Sequence, residues 1–257
     1  MKALELRLEI PQSKCFLSRE KTRSAAWCGF QMEETDRILE RVASIGPDRL
    51  LDVGCGCGGF TAGLSPHCRE ITAIDSSQAL IDRCKKENAR ANVIYFCMDG
   101  RDIRYSNNSF DLVAERMTLH HIREWEKALD EMIRVSSKYV LVEEPIDDPR
   151  SKEKKDARRA RELLLALQNE VGFSHHEYLP ADTLKNYFSS RRISIESEII
   201  RSDELVSFDE FFRSFDDFAQ KSSRKEYWLD RLESLKRELD GNKLCEEDIV
   251  FIAARKS

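Results

Sequence analysis

Nowhere does the chain carry a run of about 18 apolar residues, which excludes a membrane-spanning helix of the ordinary kind. Residues 1–20 lack the apolar stretch of a signal peptide, since Lys2, Glu5, Arg7 and Glu9 are scattered through the first half, and the expected compartment is the cytoplasm. A surplus of positive charge is also missing. The 42 Lys and Arg against 47 Asp and Glu leave a formal charge of −5, whereas a general nucleic-acid binder carries a basic domain. No repeats or low-complexity stretches stand out. The eight cysteines do not form zinc-type pairs: Cys55 and Cys57 have a single residue between them, and no second close pair follows. Most fall in strands or on apolar helix faces, where a free cysteine acts as a small hydrophobe, so no metal is expected.

What the chain does have is an apolar strand, Leu50 to Val53, interrupted by Asp52 and followed at once by Gly54, Gly56, Gly58 and Gly59. A strand entering a glycine-dense turn and then a helix is the layout of a nucleotide-binding βα junction. Glycines at 54, 56 and 59 permit a tight turn, close approach of a ligand, and close packing of the helix on its strand. The spacing alone does not separate nicotinamide or flavin cofactors from other adenosine-bearing ligands. Asp52 does discriminate, because a carboxylate there opposes a diphosphate and suits an ammonium group.

Further strands follow at 69–75, 93–97, 110–114 and 139–142, alternating with helical segments. Asp75 ends the second strand, 21 residues after Gly54, at the distance where a carboxylate accepts from ribose hydroxyls. Asp99 and Gly100 follow the third, where Asp99 can accept from an adenine amine. Such alternation predicts an α/β fold with a doubly wound, mainly parallel sheet and a ligand crevice at the carboxyl ends of the strands.

These motifs, in this order, resemble those of class I S-adenosylmethionine-dependent methyltransferases, and most closely the small-molecule branch that includes ubiquinone- and menaquinone-biosynthesis enzymes. The resemblance covers roughly residues 34–145, through Leu50 to Gly58, Ile74 with Asp75, Asp99 with Gly100, and Phe110 with Asp111 followed by Leu119 to Ile122. It implies a seven-stranded Rossmann-like sheet, S-adenosyl-L-methionine as cofactor and S-adenosyl-L-homocysteine as product. The implied cofactor contacts are Asp52, Gly54, Cys55, Gly56, Asp75, Ser76, Asp99, Gly100 and Glu115. Asp52, Gly54 and Gly56 would lie beside the methionine moiety, Asp75 on the ribose, and Asp99 with Gly100 at the adenine. Arg134 to Lys138 replaces the Lys-Pro-Gly-Gly turn of many relatives, and Glu115 and Arg116 stand where small residues are usual.

Methyl transfer by in-line displacement draws its rate mainly from alignment and water exclusion, with a base needed only when the acceptor must lose a proton. His120 and His121, after the fourth strand, and Glu144, at the end of the fifth, are the catalytic candidates, and strand alternation does not settle whether Glu143 or Glu144 faces the crevice. His175 and His176 stand in a loop that can reach the pocket mouth, without the neighbours of a metal site. The expected acceptor is a small apolar or aromatic molecule. RNA or protein as acceptor, or a non-catalytic cofactor-binding module, are the alternatives.

Residues 1–145 are read as N-terminal helices plus the cofactor-binding half, in which Phe16, Trp27 and Phe30 would sit near the cofactor mouth. Residues 146–257 are read as the remainder of the same core with helical insertions at 146–190 and 203–245. In the first insertion, residues 150–161 hold seven basic and two acidic side chains, read as the wet face of a helix or, alternatively, as a clamp for anionic groups. In the second, Ser207 and Glu210 form a capping box opening a helix with phenylalanines at 208, 211, 212, 215 and 218, followed by a stripe of Trp228, Leu232, Leu235 and Leu239. These helices are expected to pack on each other and on the sheet edge, as a lid over the acceptor pocket.

Overall fold

A computed structural model describes residues 32–239 and 243–256, so the readings of Phe16, Trp27 and Phe30 lie outside the described residues. Nine helices and nine strands follow in order within that range: α1 (Met32–Ile45), β1 (Arg49–Val53), α2 (Gly59–Leu64), β2 (Glu70–Asp75), α3 (Gln78–Glu87), β3 (Val93–Cys97), β4 (Phe110–Arg116), α4 (Trp125–Val135), β5 (Ser136–Ile146), α5 (Lys152–Glu170), α6 (Ala181–Ser190), β6 (Ser194–Ile200), β7 (Leu205–Val206), α7 (Phe208–Phe211), α8 (Phe215–Ala219), α9 (Lys225–Glu238), β8 (Leu244–Cys245) and β9 (Asp248–Arg255). Seven strands form one sheet in the order β3-β2-β1-β4-β5-β9-β6. The pairs from β3 to β5 are parallel, and β9 runs antiparallel to both neighbours. This is the doubly wound, mainly parallel sheet that the alternation of elements predicts.

Side-chain alternation assigns each strand residue to one of two cores. Leu50, Leu112, Ala114 and Leu141 pack with Ile38 and Val42 of α1 and Leu64 of α2 on one face. Leu51, Val113, Val140 and Val142 pack with α4 and α6 on the other. The fifth strand extends past Pro145 because β4 ends opposite Glu143, so from Glu144 onward β5 pairs only with β9 and no ladder needs the missing proline N–H.

The second insertion departs from its expected form. The phenylalanine stretch is two short helices, α7 and α8, the second carrying Asp216 and Asp217 in its first turn, where acidic side chains favour a helix N-terminus. Ser207 caps α7 by accepting from Glu210 N at 3.1 Å, while the Glu210 carboxylate turns to Arg213. Phe208, Phe212, Phe215, Trp228 and Leu235 pack on Ala157, Ala160, Leu163, Leu164 and Leu167 of α5, forming a core separate from those of the sheet. Full burial of each such aromatic contributes about 2 kcal/mol, which suffices to hold the insertion on α5 rather than on the sheet edge.

The basic stretch is a wet face in part: Lys152, Lys155, Arg158 and Arg159 are exposed, with i,i+4 pairs from Lys152 to Asp156 and from Arg158 to Glu162, whereas Lys154 and Arg161 are buried. Asp248, 1% exposed at the start of β9, receives Arg150, Lys154 (2.5 Å) and Arg201 (2.7 Å), and accepts from Ser202 N at 3.0 Å. Arg158 and Arg161 pair with Asp147, Arg161 also with Glu247, and Arg159 with Glu238. The local excess is thus largely consumed in tying α5 and the insertion to β5 and β9.

Candidate functional site

At the carboxyl end of β1, Gly54, Gly56 and Gly58 adopt φ of 75°, 55° and 84°, the left-handed region in which a side chain is strained. A Cβ on Gly54 would lie 2.2 Å from the Thr118 methyl, so the β1 turn and the β4 turn are in contact at this point. Among the described residues a Cβ on Gly56 would meet nothing within 4 Å. Close packing falls to Gly58 rather than Gly59: a Cβ there would stand 3.0 Å from Cys84 Sγ and 3.2 Å from Asn88 and Tyr95, while Gly59 faces open space. The third position of the sequence motif is therefore displaced by one residue.

Asp75, at the end of β2, closes the turn by accepting from Gly56 N (3.0 Å) and Ser77 N (2.8 Å). Burial pushes its carboxyl up, against those two N–H groups. Two accepted bonds leave lone pairs on both oxygens. Ser76 beside it is exposed. Asp99 is engaged by Arg101 in a two-pronged pair (Nη2 2.7 Å, Nε 3.0 Å), which holds its carboxyl below the usual range, and Arg101 also bonds Glu124. Gly100 lies against Val53, with a Cβ there at 3.1 Å.

Three of the expected cofactor contacts have buried side chains engaged within the protein. Asp52 shares the α2 face with Leu50, where Thr61 donates to it at 2.5 Å; it is 1% exposed, and burial pushes its carboxyl up to about 7 against that hydrogen bond. Cys55 is buried in a small cluster with Cys84 and Ile81, its thiol pushed up by a hydrogen bond with Cys84 and by burial. Glu115, on the α4 face, is fully buried against Glu144.

Alternation resolves the two glutamates of β5. Glu143 shares the face of Leu141 and pairs with Arg116 at 2.7 Å. Glu144 shares the face of Val142, accepts from the backbone of Thr118 (2.5 Å), Leu119 (2.8 Å) and His120 (3.2 Å), and binds His120 Nδ1 at 2.8 Å. Burial opposes its ionisation, but His120, a hydrogen bond from Glu115 and the Leu119 N–H outweigh it and hold Glu144 below its ordinary value. Glu115 is pushed well above its own by burial and by the neighbouring carboxylate, and its Oε1 meets no protein donor, as suits a neutral acid beside an anion. Glu144 therefore positions the 3-10 turn Leu119–His121 and its first histidine.

The loop after α5 is pinned onto that turn. His176 N donates to His120 O (2.8 Å), Ser174 Oγ to His121 O (3.1 Å), and His121 Nδ1 lies 2.9 Å from Ser174 O. Asn169 holds the His175 backbone from both sides, and His175 Nδ1 meets Gln168 Oε1 at 2.9 Å. His120, His121 and His175 consequently cluster, with ring centroids 4.2–4.9 Å apart and mutually tilted planes. Burial and the neighbouring imidazoles lower His121 to about 4 and His175 to about 2, so both are neutral at physiological pH. The sequence paired His175 with His176 and expected no metal; the fold instead gathers three histidines from two segments.

A seven-stranded sheet in this order, with a glycine turn at its centre and a carboxylate closing the next strand, defines the class I S-adenosylmethionine-dependent methyltransferase fold. Residues 51–139 match the family described as the methyltransferase domain. An uncharacterized methyltransferase of Mycobacterium bovis is 30% identical over 97 residues, 38% of this chain and 49% of the relative. A ubiquinone biosynthesis O-methyltransferase of Coxiella burnetii is 30% identical over 88 residues, 34% of this chain and 38% of the relative. The chain thus spans about half or less of the length of these curated relatives. Among solved structures, the YcgJ protein of Bacillus subtilis aligns with a TM-score of 0.67 and 15% identity, over 88% of this chain and 99% of that one. The resemblance read from the motifs is borne out: residues 51–139 match the methyltransferase-domain family, and the sheet has the fold of the solved neighbour. Among the described residues no helix is long and apolar enough to cross a membrane.

Proposed function

We propose that the protein transfers a methyl group from S-adenosylmethionine to a small apolar or aromatic acceptor by in-line displacement. The observation that carries this reading is the β1 turn, where left-handed glycines leave the Gly56 backbone uncovered by the described residues, beside a carboxylate, Asp75, that still has lone pairs to offer. These residues fit the adenosyl cofactor, whose sulfonium supplies an electrophilic methyl carbon. Gly54 and Gly56 would line its amino-acid end, Asp75 its ribose, and Asp99 with Gly100 its base, Asp99 once released from Arg101. Asp52 acts at one remove, fastening α2 to β1 through Thr61.

On the acceptor side, His120 is held by Glu144 and buried, whereas His121 is half-buried and turns its second nitrogen away from Ser174. A neutral imidazole lowered to about 4 orients an acceptor better than it removes a proton, because a general base works best with a pKa near the operating pH. The exposed Phe173, 5.6 Å from His121, adds an aromatic wall at the same rim. The similarity to the ubiquinone biosynthesis O-methyltransferase of Coxiella burnetii supports a small acceptor of this kind. RNA as acceptor is disfavoured because the basic stretch is paired with Asp147, Asp248, Glu238 and Glu247.

Incubation with methyl-labelled S-adenosylmethionine and a panel of small phenols, quinols and amines tests the proposal. Label should pass to a member of the panel at a rate nearly independent of salt. Label passing only to RNA, with a rate that falls steeply as salt rises, would contradict the small-acceptor reading.

A further inference from the structure

From the convergence of His120, His121 and His175 we infer a binding site for a divalent transition-metal ion, with Zn²⁺ the foremost candidate. One ring nitrogen from each lies within 4.8 Å of the others. Every Nδ1 already faces an acceptor: the Glu144 carboxylate for His120, the Ser174 carbonyl for His121 and the Gln168 amide oxygen for His175. An Nδ1–H given to an acceptor places the ring's lone pair on Nε2, the atom that ligates. This is the outer-shell pattern of metal-binding histidines, which donate their other N–H to a carboxylate or carbonyl that fixes tautomer and ring orientation. A second observation is independent of the spacing: His120 is 3% exposed, and its Nε2 has no hydrogen-bond partner. A buried lone pair of this kind carries a desolvation cost that a metal ion would relieve.

The scaffold is also prepared for a bound ion. Backbone bonds between 174–176 and 120–121, with Asn169 bracing His175, hold the two segments in register without any ion. Zinc–nitrogen bonds of about 2.0–2.1 Å in a tetrahedral site require ligand nitrogens about 3.4 Å apart, so the rings need to turn inward by roughly an ångström. Imidazole ligands suit zinc, copper, nickel and iron, and three protein ligands leave a position open, as in catalytic rather than structural sites. The half-buried His121 sets that open position on the rim with Phe173. An acceptor oxygen or sulfur bound there would ionise more readily. That last consequence rests on the methyl-transfer reading and passes the acceptor contact from His121 to the ion; metal binding itself does not rest on it.

The test is titration of chelator-treated full-length protein with Co²⁺ and Zn²⁺, followed by cobalt absorption and calorimetry, with circular dichroism as the check on folding. One ion per chain is expected, with a cobalt spectrum of nitrogen and oxygen ligation without thiolate charge transfer. His121→Ala and His121→Gln, at a half-buried position, should retain the fold and lose the ion, and His175→Ala should lose it too. Gln168→Leu, which removes the partner of His175 without touching a ligand, should weaken binding roughly 10–100-fold. Absence of stoichiometric binding to the wild-type protein, binding undiminished in folded His121 variants, or a thiolate spectrum would each overturn the site. Loss of methyl transfer alone, with metal binding intact, would overturn the methyl-transfer reading and leave the site standing.

Discussion

Asp248→Asn should loosen the whole second insertion. In the native chain the Asp248 carboxylate is 1% exposed and receives three cationic side chains and a backbone N–H. The three cations do not count equally: Arg150 and Arg201 have side chains 31% and 45% exposed and can return to water, whereas that of Lys154 is 7% exposed. Removing the charge therefore leaves one buried ammonium with neutral oxygens alone, the Glu246 carbonyl at 2.6 Å and the new amide oxygen. Breaking a buried pair in this way costs about 3–5 kcal/mol, and the retained carbonyl favours the lower end. For a chain of this size that corresponds to a fall in Tm of roughly 6–20 °C. Asp203→Asn is the matched control, because Asp203 contacts the same Arg150 from a side chain 93% exposed and should change stability by less than about 0.5 kcal/mol. The pH dependence has a definite sign. Burial raises the Asp248 carboxyl, but Arg150, Lys154, the Ser202 N–H and Arg201 outweigh it and hold it well below the usual range. Its stabilisation is thus present above the unfolded value near pH 4 and is lost as pH falls through the folded value. Urea denaturation at several pH values should show the acid limb flattened in Asp248→Asn. A cost below about 1 kcal/mol, or an unchanged acid limb, would refute the view that the basic stretch is an internal latch.

Gly54→Ala places a Cβ 2.2 Å from the Thr118 methyl at φ +75° and should cost about 2–4 kcal/mol in thermal unfolding while abolishing adenosyl-ligand binding; Gly59→Ala, facing open space, should change stability by about 0.5 kcal/mol or less. Asp52, raised by burial from 3.8 to about 7, should favour the folded state fully below pH 4 and lose that contribution as pH rises through 7, a span of about 4 kcal/mol. Asp52→Asn should remove this slope, so denaturation profiles at pH 5 and pH 8 should converge for the variant and diverge for the wild type.

Legibility in the sequence followed contiguity. The β1 turn, Asp75 and the strand order depend on local runs and on the rule that alternating strands and helices wind a parallel sheet, and these were readable. The displacement of tight packing from Gly59 to Gly58 was not, because it is set by Cys84, Asn88 and Tyr95 on other elements. The roles of Glu143 and Glu144 follow from strand parity, but parity becomes a direction only once Val142 and Leu141 are known to face different helices. The histidine cluster was hidden for a related reason. His120 and His175 are brought together by a loop pinned through backbone bonds, which carry no side-chain signature. Likewise the burial of Lys154 and Arg161 within the charged stretch 150–161 was hidden, because their acidic partners, Asp147, Glu247 and Asp248, lie on other segments.

The central claim is that the β1 turn and Asp75 bind an adenosyl cofactor. Calorimetric titration of the purified protein with S-adenosylmethionine, S-adenosylhomocysteine and NAD tests it most directly, with Asp75→Ala alongside. The account predicts binding of both adenosyl ligands, no measurable binding of NAD, and at least about tenfold weaker binding by the variant, which loses the acceptor of the Gly56 and Ser77 N–H groups as well as its own contact. Binding of NAD alone, or adenosyl binding unaffected by Asp75→Ala, would contradict it.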